Sequence, residues 1–280
     1  MKPSIYLLDY FGFIKVSGKD ALTFLQGQLT ADMNALTPSS STLCARCTPQ
    51  GRVVSLFRIF QYQDAYFLRL PLSMVQITIE SLKKFAIFSK VTIENKSSEW
   101  VATGITHLNE SIDTSDGYIT PVPGEERFEY YIPQSHFYAA WEKLKKHADS
   151  LPGKAWHALD LEAGIPDIHP KTSEHYTAHD LNLPKLNAVS FTKGCYAGQE
   201  IVARTHFRAT LKQHLYAGTV MGDLAYNMPI KSEDRTVGYI IDFEKSDSLL
   251  MIFLALIRHD AIDQSLTADQ HILNLKKTDH

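Results

Sequence analysis

The sequence predicts a mixed α+β protein that ends in a small β-barrel or sandwich. Strand-like and helix-like patterns alternate through the first part of the chain, an order that argues against a helix bundle. From Lys212 to Leu273, short alternating apolar runs are separated by turn signals, as in a small barrel. A length of 280 residues with 44% hydrophobic residues is enough for a sizeable core shared by two or three units.

Composition and charge limit the classes of function. The formal net charge of -3 gives no electrostatic case for wrapping nucleic acid, so no direct nucleic-acid partner is expected. The longest apolar run, Leu249 to Ile257, is about half of the ~20 residues that span a bilayer, so it predicts a buried strand and no membrane partner. Three cysteines and no signal-peptide pattern suit a reducing, cytoplasmic environment.

The chain begins with a predicted strand over residues 5–16, which ends at Ser17-Gly18. A helix follows, and helical spacing predicts one apolar face made by Leu22, Leu25 and Leu29.

A hairpin is predicted next, with strands on either side of the turn Pro49-Gln50-Gly51. Its first strand carries Cys44 and Cys47, whose spacing could serve metal or redox chemistry. No second cysteine pair or ordered Cys/His pair completes a metal site, so packing in the strand is the favoured interpretation.

The middle of the chain reads as alternating strands and helices. Predicted strands cover Tyr66 to Leu70, residues 85–93 and Trp100 to Ile105. Predicted helices cover 71–85, 135–148 and 156–164. The apolar faces of the first two helices are formed by Val75, Ile79, Leu82, Phe137, Trp141 and Leu144.

A long loop is predicted over residues 165–190, and it contains His169, His175 and His179. Histidines four residues apart bind zinc when they share a helix, but prolines nearby disfavour a long helix. We therefore expect surface histidines.

The stretch from Phe191 to Arg204 concentrates the most chemistry. Cys195 follows the cation Lys193 and precedes a predicted helix start near Gln199, and both features favour a thiolate. The alternative is a small buried cysteine in a glycine turn.

The octapeptide Lys193-Gly194-Cys195-Tyr196-Ala197-Gly198-Gln199-Glu200 resembles the signature of the YgfZ family, folate-binding relatives of the glycine-cleavage T protein. Four further segments occur in that family's order: Phe24 to Asp32, Pro49 to Arg52, Lys83 to Val91 and Leu161 to Pro166.

This resemblance implies a ring of three subdomains around a pocket for tetrahydrofolate or a derivative. Residues 1–205 would form the folate-binding region and 206–280 the C-terminal β-barrel. It also implies that Glu162 contacts the pteridine ring and that Trp156, with Phe11 at a second aromatic position, contributes to folate binding. From the residue types alone, we would expect the Trp156 side chain to lie in the core and the Glu162 side chain to be exposed to solvent.

Aminomethyl transfer is not expected. The T protein's catalytic aspartate falls at Ser55 or Leu56 of this chain, and neither is a carboxylate. The resemblance instead implies a monomeric accessory protein for iron-sulfur client or carrier proteins, which supports tRNA modification indirectly.

In that role Cys195 would be the functional thiol or a ligand to a shared cluster, with Lys193 beside it. The surrounding wall would be formed by Tyr196, Gln199, Glu200 and Arg204. The alternative is a folate-dependent one-carbon transferase that uses Cys195 as its nucleophile.

Overall fold

A computed structural model describes residues 2–110, 112–122, 124–208, 210–246 and 249–276. The strands are β1 Ser4–Leu7, β2 Phe11–Ser17, β3 Ser41–Cys47, β4 Val53–Tyr62, β5 Ala65–Pro71, β6 Thr92–Asn95, β7 Trp100–Thr106, β8 Tyr118–Pro121, β9 Arg127–Pro133, β10 Asp149–Leu151, β11 Gln213–Met221, β12 Pro229–Ser232, β13 Arg235–Lys245, β14 Leu250–Arg258, β15 Thr267–Ala268 and β16 His271–Leu275. The helices are α1 Ala21–Gln28, α2 Val75–Lys83, α3 Gln134–Lys145, α4 Gly153–Glu162 and α5 Gln199–Arg208.

The strands form two five-stranded sheets and a closed barrel. The first sheet has the order β3-β4-β5-β2-β6, and the second has the order β10-β1-β7-β9-β8. The barrel runs β11-β14-β13-β12-β15-β16, which confirms the predicted barrel at the C-terminal end. Helix α3 packs on the second sheet, and α4 packs against β13 and β14 of the barrel.

The predicted strand over residues 5–16 is in fact two strands in different sheets. The Phe11 amide donates to the Leu8 carbonyl at 3.2 Å, so the chain turns at Asp9 and Tyr10. Strand β1 pairs with β7 and β10, whereas β2 pairs with β5 and β6. At this turn the chain passes from the second sheet to the first, so the two sheets are connected by only three residues, 8–10.

Several apolar patterns predicted the core correctly. Val75, Ile79 and Leu82 are buried on α2, and the hairpin of β3 and β4 forms as expected. Leu22 is an exception, because its side chain is 37% exposed and Phe24 takes the inward position on α1.

The predicted strand over residues 85–93 is also wrong for most of its length. Only β6, beginning at Thr92, pairs with β2, and residues 85–91 form turns. Phe88 and Ile87 point into solvent and are 98% and 77% exposed. Their apolar character is therefore not used by the core.

The long loop is confirmed, since residues 163–198 contain no helix or strand apart from a single bridge between Thr177 and Arg52. It is held to the first sheet by backbone bonds, including Val53 N to Tyr176 O at 2.8 Å. Among the described ranges, no helix is both long and apolar enough to cross a bilayer.

Candidate functional site

Cys195 lies on an exposed turn immediately before α5, which begins at Gln199 as predicted. The turn packs against the β3–β4 turn. Gly198 has φ of +84°, and a Cβ there would lie 2.5 Å from the Thr48 carbonyl oxygen. Glycine is therefore required at this position, and it fixes the Cys195 turn on the first sheet.

Lys193 is buried, and its ammonium points into the protein. Nζ donates to the carbonyl oxygens of Leu29 and Ala31, both at 2.8 Å, and lies 5.1 Å from the centre of the Tyr196 ring. Burial lowers the pKa of Lys193 to about 8, and the buried Cys44 thiol and Asp32 act against that shift. These contacts give Lys193 a bracing role between the turn and the end of α1.

The other predicted residues of this region follow Cys195 in the turn and on α5. Tyr196 is buried with its hydroxyl unpaired among the described residues, and Gln199 Oε1 accepts a bond from the Tyr196 amide at 3.3 Å. Glu200 and Arg204 are exposed on the outer face of α5. Glu200 and Arg204 are therefore surface residues of α5, whereas Tyr196 is part of the packed turn.

The remaining cysteines are core residues, as their strand position predicted. Cys44 and Cys47 are fully buried and unbridged. Burial raises the pKa of Cys47 to about 12 and that of Cys44 further. Cys195 is thus the one cysteine whose thiol is exposed.

Trp156 and Phe11 lie in a different place, at the junction where both sheets, α4 and the barrel meet. Trp156 is fully buried against Gly104, where an added Cβ would lie 2.2 Å from the indole. The indole Nε1 has no hydrogen-bond partner within the described part of the chain. Phe11 is 5% exposed, and the Arg69 guanidinium carbon lies 3.8 Å from its ring centre.

Glu162 is not at this junction. Its carboxylate is 41% exposed and forms an ion pair with Lys276 Nζ at 3.0 Å. Six residues of α-helix separate it from Trp156, a rotation that places the two side chains on different sides of α4. The four buried residues of α4 are Trp156, His157, Asp160 and Leu161.

A buried charge cluster, made of Arg58, Arg69, Glu129 and Tyr131, lies at the same junction. Arg58 Nε donates to the Glu129 carboxylate at 3.2 Å and Arg69 Nε at 2.9 Å, and Arg69 Nη2 and the Tyr131 hydroxyl also donate to it. Burial alone would raise the pKa of the Glu129 carboxyl, but the two guanidinium groups hold it below its ordinary value. The cluster joins the first sheet to the second.

Sequence reasoning missed this cluster, although a signal existed. Arg58 and Arg69 each lie in the middle of a mostly apolar strand, where an unpaired charge would be costly. Such a residue predicts a buried partner, but not which of the many carboxylates supplies it.

Several buried polar atoms at the junction make no hydrogen bond within the described residues. They are Arg58 Nη1, Tyr10 Oη, Trp156 Nε1, Asp160 Oδ1 and the guanidinium nitrogens of Arg127. Arg127 Nη2 and Asp160 Oδ1 lie 2.7 Å apart as an ion pair, but in an orientation that forms no hydrogen bond. Burial raises the pKa of Asp160, and Arg127 opposes that shift.

A histidine–carboxylate group links α4 to the barrel. His157 Nε2 lies 3.1 Å from Asp242 Oδ2, and His157 Nδ1 lies 3.1 Å from Glu244 Oε2. An ionised carboxylate can only accept a hydrogen bond, so both ring nitrogens of His157 must donate one. His157 is therefore protonated on both nitrogens, as an imidazolium. Although burial alone would lower the pKa of His157, Asp242 and Glu244 raise it well above its ordinary value.

The expectation of surface histidines holds only for His175. His179 is 6% exposed, and burial lowers its pKa. His169 is half-buried, with Nε2 3.4 Å from Asp242 Oδ1. The loop packs on the barrel and on α5, so its histidines are covered by distant elements.

The Cys195 turn and the junction are separate places on the first sheet. The turn packs against Thr48 and Gly51, just before β4 begins at Val53. Arg58 lies five residues after Val53, about 17 Å further along the strand. Leu56 shares the junction face with Arg58, whereas Ser55 faces the other way, because side chains alternate along a strand. The junction face therefore carries Leu56, and no carboxylate, at this point of β4.

Comparisons with known proteins agree with this architecture. The glycine cleavage system aminomethyltransferase T from Bartonella henselae superposes over 99% of this chain and 85% of its own, with a TM-score of 0.76 and 14% identity. That likeness shows the fold, which is the predicted T-protein-like arrangement. No family model matches the chain.

Sequence relatives carry the name "tRNA-modifying protein YgfZ". One, from Yersinia pestis (strain Pestoides F), is 31% identical over 226 residues, covering 75% of this chain and 68% of the relative. Another, from Hamiltonella defensa, is 30% identical over 282 residues, covering 92% of this chain and 84% of the relative. The chain belongs to the YgfZ family. Membership confirms the predicted resemblance to this family. In the structure, the Cys195 octapeptide lies on the exposed turn and not at the buried junction.

Proposed function

We propose that this YgfZ-family protein binds a reduced folate, tetrahydrofolate or a derivative, at the junction. We further propose that it serves as an accessory protein in the assembly or repair of iron-sulfur proteins. The observation that carries the folate proposal is the set of buried polar atoms at the junction that make no hydrogen bond within the described residues.

Leaving a buried donor or acceptor unpaired costs about 1–3 kcal/mol, so a ligand that pairs several of them binds with a matching gain. A pterin ring has N–H donors beside a carbonyl acceptor on one edge. Asp160 Oδ1 can accept from such donors, while Trp156 Nε1 and Arg58 Nη1 can donate to the carbonyl. These residues fit the group.

The aromatic rings at the junction support the same ligand. The Trp156 indole and the Phe11 ring are buried there, and each already has a guanidinium group over its face. Aromatic side chains with a few polar groups beside them are typical of the walls of a site for a flat, polar heterocycle.

A binding role is favoured over one-carbon transfer, since neither Ser55 nor Leu56, where the T protein's aspartate is expected to fall, is a carboxylate. The relatives are named for tRNA modification, whereas a net charge of -3 offers no broad surface for RNA. We therefore propose that the effect on tRNA is indirect and passes through an iron-sulfur client or carrier protein. In this proposal the protein acts as a cytoplasmic monomer, and exposed Cys195 meets the partner's metal chemistry.

Calorimetry with tetrahydrofolate, together with tryptophan fluorescence, tests the folate site. Asp160→Asn keeps the shape of the side chain and removes its charge, so we expect the Kd to rise about 10- to 100-fold. Trp156→Phe should also weaken binding. Glu162→Gln is the matched control on the outer side of α4 and should bind as the wild type does. No heat and an unchanged signal with the wild type would refute the folate proposal.

Complementation in a strain that lacks its own copy tests the role of Cys195. Cys195→Ser should bind tetrahydrofolate normally but fail to restore an iron-sulfur-dependent tRNA modification, measured by mass spectrometry of tRNA nucleosides. Full restoration by Cys195→Ser would show that the thiol is not needed.

A further inference from the structure

An exposed apolar tip projects from the first sheet between α2 and β6. The tip consists of residues 83–90, and its apolar side chains Phe85, Ile87 and Phe88 are 46%, 77% and 98% exposed. Backbone bonds hold its shape, with Ala86 N donating to Lys83 O at 3.1 Å and Ser89 N to Ala86 O at 2.9 Å. Large apolar side chains held in the open usually mark an interaction site.

The tip is edged by positive charge. Lys83, Lys84 and Lys90 are exposed, and no ion pair engages them in the ranges that the structure describes. The nearby carboxylate of Asp20 accepts a bond from the Lys90 amide at 2.7 Å, and that of Glu80 accepts one from Gln76 at 2.8 Å. On a chain with a net charge of -3, this edge selects for an acidic partner.

Helix α1 connects the tip to the Cys195 turn. The bond between Asp20 and Lys90 places the tip at the start of α1. At the other end of α1, the Gly27 carbonyl accepts a bond from the Ala197 amide at 3.2 Å. Eight helical residues span about 12 Å, so one partner can cover the tip and reach the Cys195 turn.

Gly27 supplies a second, independent observation. A Cβ at Gly27 would meet nothing within 4 Å, and its φ is not in the left-handed region. Glycine inside a helix lowers stability, and no neighbour within the described ranges requires it here. The empty space beside Gly27 would let a partner molecule approach the backbone of α1 closely.

We propose that the tip and the exposed face of α1 form a docking surface for a partner protein with an acidic rim around an apolar pocket, which receives Phe88 and Ile87. A second copy of this chain is disfavoured, because a two-fold contact would set lysine edges against each other. A bilayer is disfavoured, because a fluid surface makes no use of the space above Gly27. This surface is distinct from the folate site and does not depend on it.

A random peptide display library, selected on the intact protein and counter-selected on Ile87→Ser/Phe88→Ser, tests the proposal. We expect peptides with acidic residues around an apolar or aromatic residue, with affinity that falls as salt rises. Lys83→Glu/Lys84→Glu should lower the affinity of a selected peptide at least tenfold. Tyr138→Ser and Lys146→Glu, at exposed positions on and beside α3, are the matched controls and should bind as the wild type does.

Other outcomes would overturn the proposal. A basic or neutral consensus among the selected peptides would contradict the acidic partner, and a peptide that binds Ile87→Ser/Phe88→Ser equally well would contradict the role of the tip. Concentration-dependent dimers that are lost in that variant would indicate a second copy as the partner. Sedimentation of the wild type with phosphatidylglycerol vesicles would indicate a lipid surface. The substituted side chains are exposed, so each variant should keep the wild-type melting temperature and tetrahydrofolate affinity. A failure of the folate proposal would therefore be visible separately from a failure of this one.

Discussion

Replacing Glu129 by glutamine should destabilise the protein strongly, because the substitution keeps the shape of the side chain but removes its charge. The Glu129 side chain is completely buried, and the side chains of its partners Arg58 and Arg69 are 1% and 5% exposed. Breaking a buried ion pair leaves a desolvated charge without a partner, which typically costs 3–5 kcal/mol. We expect a loss of about 3–5 kcal/mol in the free energy of unfolding, or roughly 6–20 °C in Tm.

Urea unfolding at pH 7, followed by tryptophan fluorescence and far-ultraviolet circular dichroism, measures this loss. Glu99→Gln is the matched control, since its carboxylate is 57% exposed beside Lys96, and it should not differ measurably from the wild type. Changing Arg58, Arg69 and Glu129 together to methionine should recover much of the loss, because no charge remains buried. A loss under about 1 kcal/mol for Glu129→Gln, or a triple variant less stable than the single one, would refute this reasoning.

Four further predictions follow from the described contacts. In His157→Gln the buried Asp242 loses its positively charged partner. The pKa of His157 is raised above 6.5 in the folded protein, so the stabilisation from the charged imidazole is full below pH 6.5 and is lost as the pH rises through the folded-state pKa. The difference in Tm between this variant and the wild type should therefore become smaller with rising pH. Gly27→Ala should raise the free energy of unfolding by about 0.5–1 kcal/mol in urea titrations, and a loss would show that the position is not open. Lys193→Met should cost about 1–3 kcal/mol in the same titrations, since two buried carbonyls lose their donor, and an unchanged midpoint would contradict the bracing role. Ellman's reagent should modify Cys195 alone in the native protein and all 3 cysteines in denaturant, so rapid native reaction of a second thiol would contradict the burial of the other two.

Local patterns predicted much of the fold because their physical basis is local. The spacing of Val75, Ile79 and Leu82 sets one face of α2, whichever surface that face meets. The turn at Pro49-Gln50-Gly51 joins two strands through its own backbone preferences. The same reasoning failed over residues 5–16 and 85–93. A largely apolar stretch there concealed a turn between two sheets in the first case and an exposed tip in the second.

The structure brings some of the predicted site residues to the same region and separates others. The octapeptide forms the Cys195 turn, and Trp156 and Phe11 are both buried at the junction, where their role in folate binding stays a prediction. Glu162 lies elsewhere, because only the rotation of α4 decides which of its carboxylates faces inward, and that residue is Asp160. Lys193 was expected beside the thiol, but its ammonium is bonded to carbonyls of a segment more than 160 residues away.

The sequence by itself determined the family, the α+β class, the barrel and the signature turn, because each rests on motifs or periodicities within a few tens of residues. Only the tertiary structure decided which charges are buried together. Glu129 meets Arg58 and Arg69 across 71 and 60 residues of chain, and His157 meets Asp242 across 85. The electrostatic energy of such pairs depends on distance and burial in the folded protein, and neither quantity is written in the local sequence.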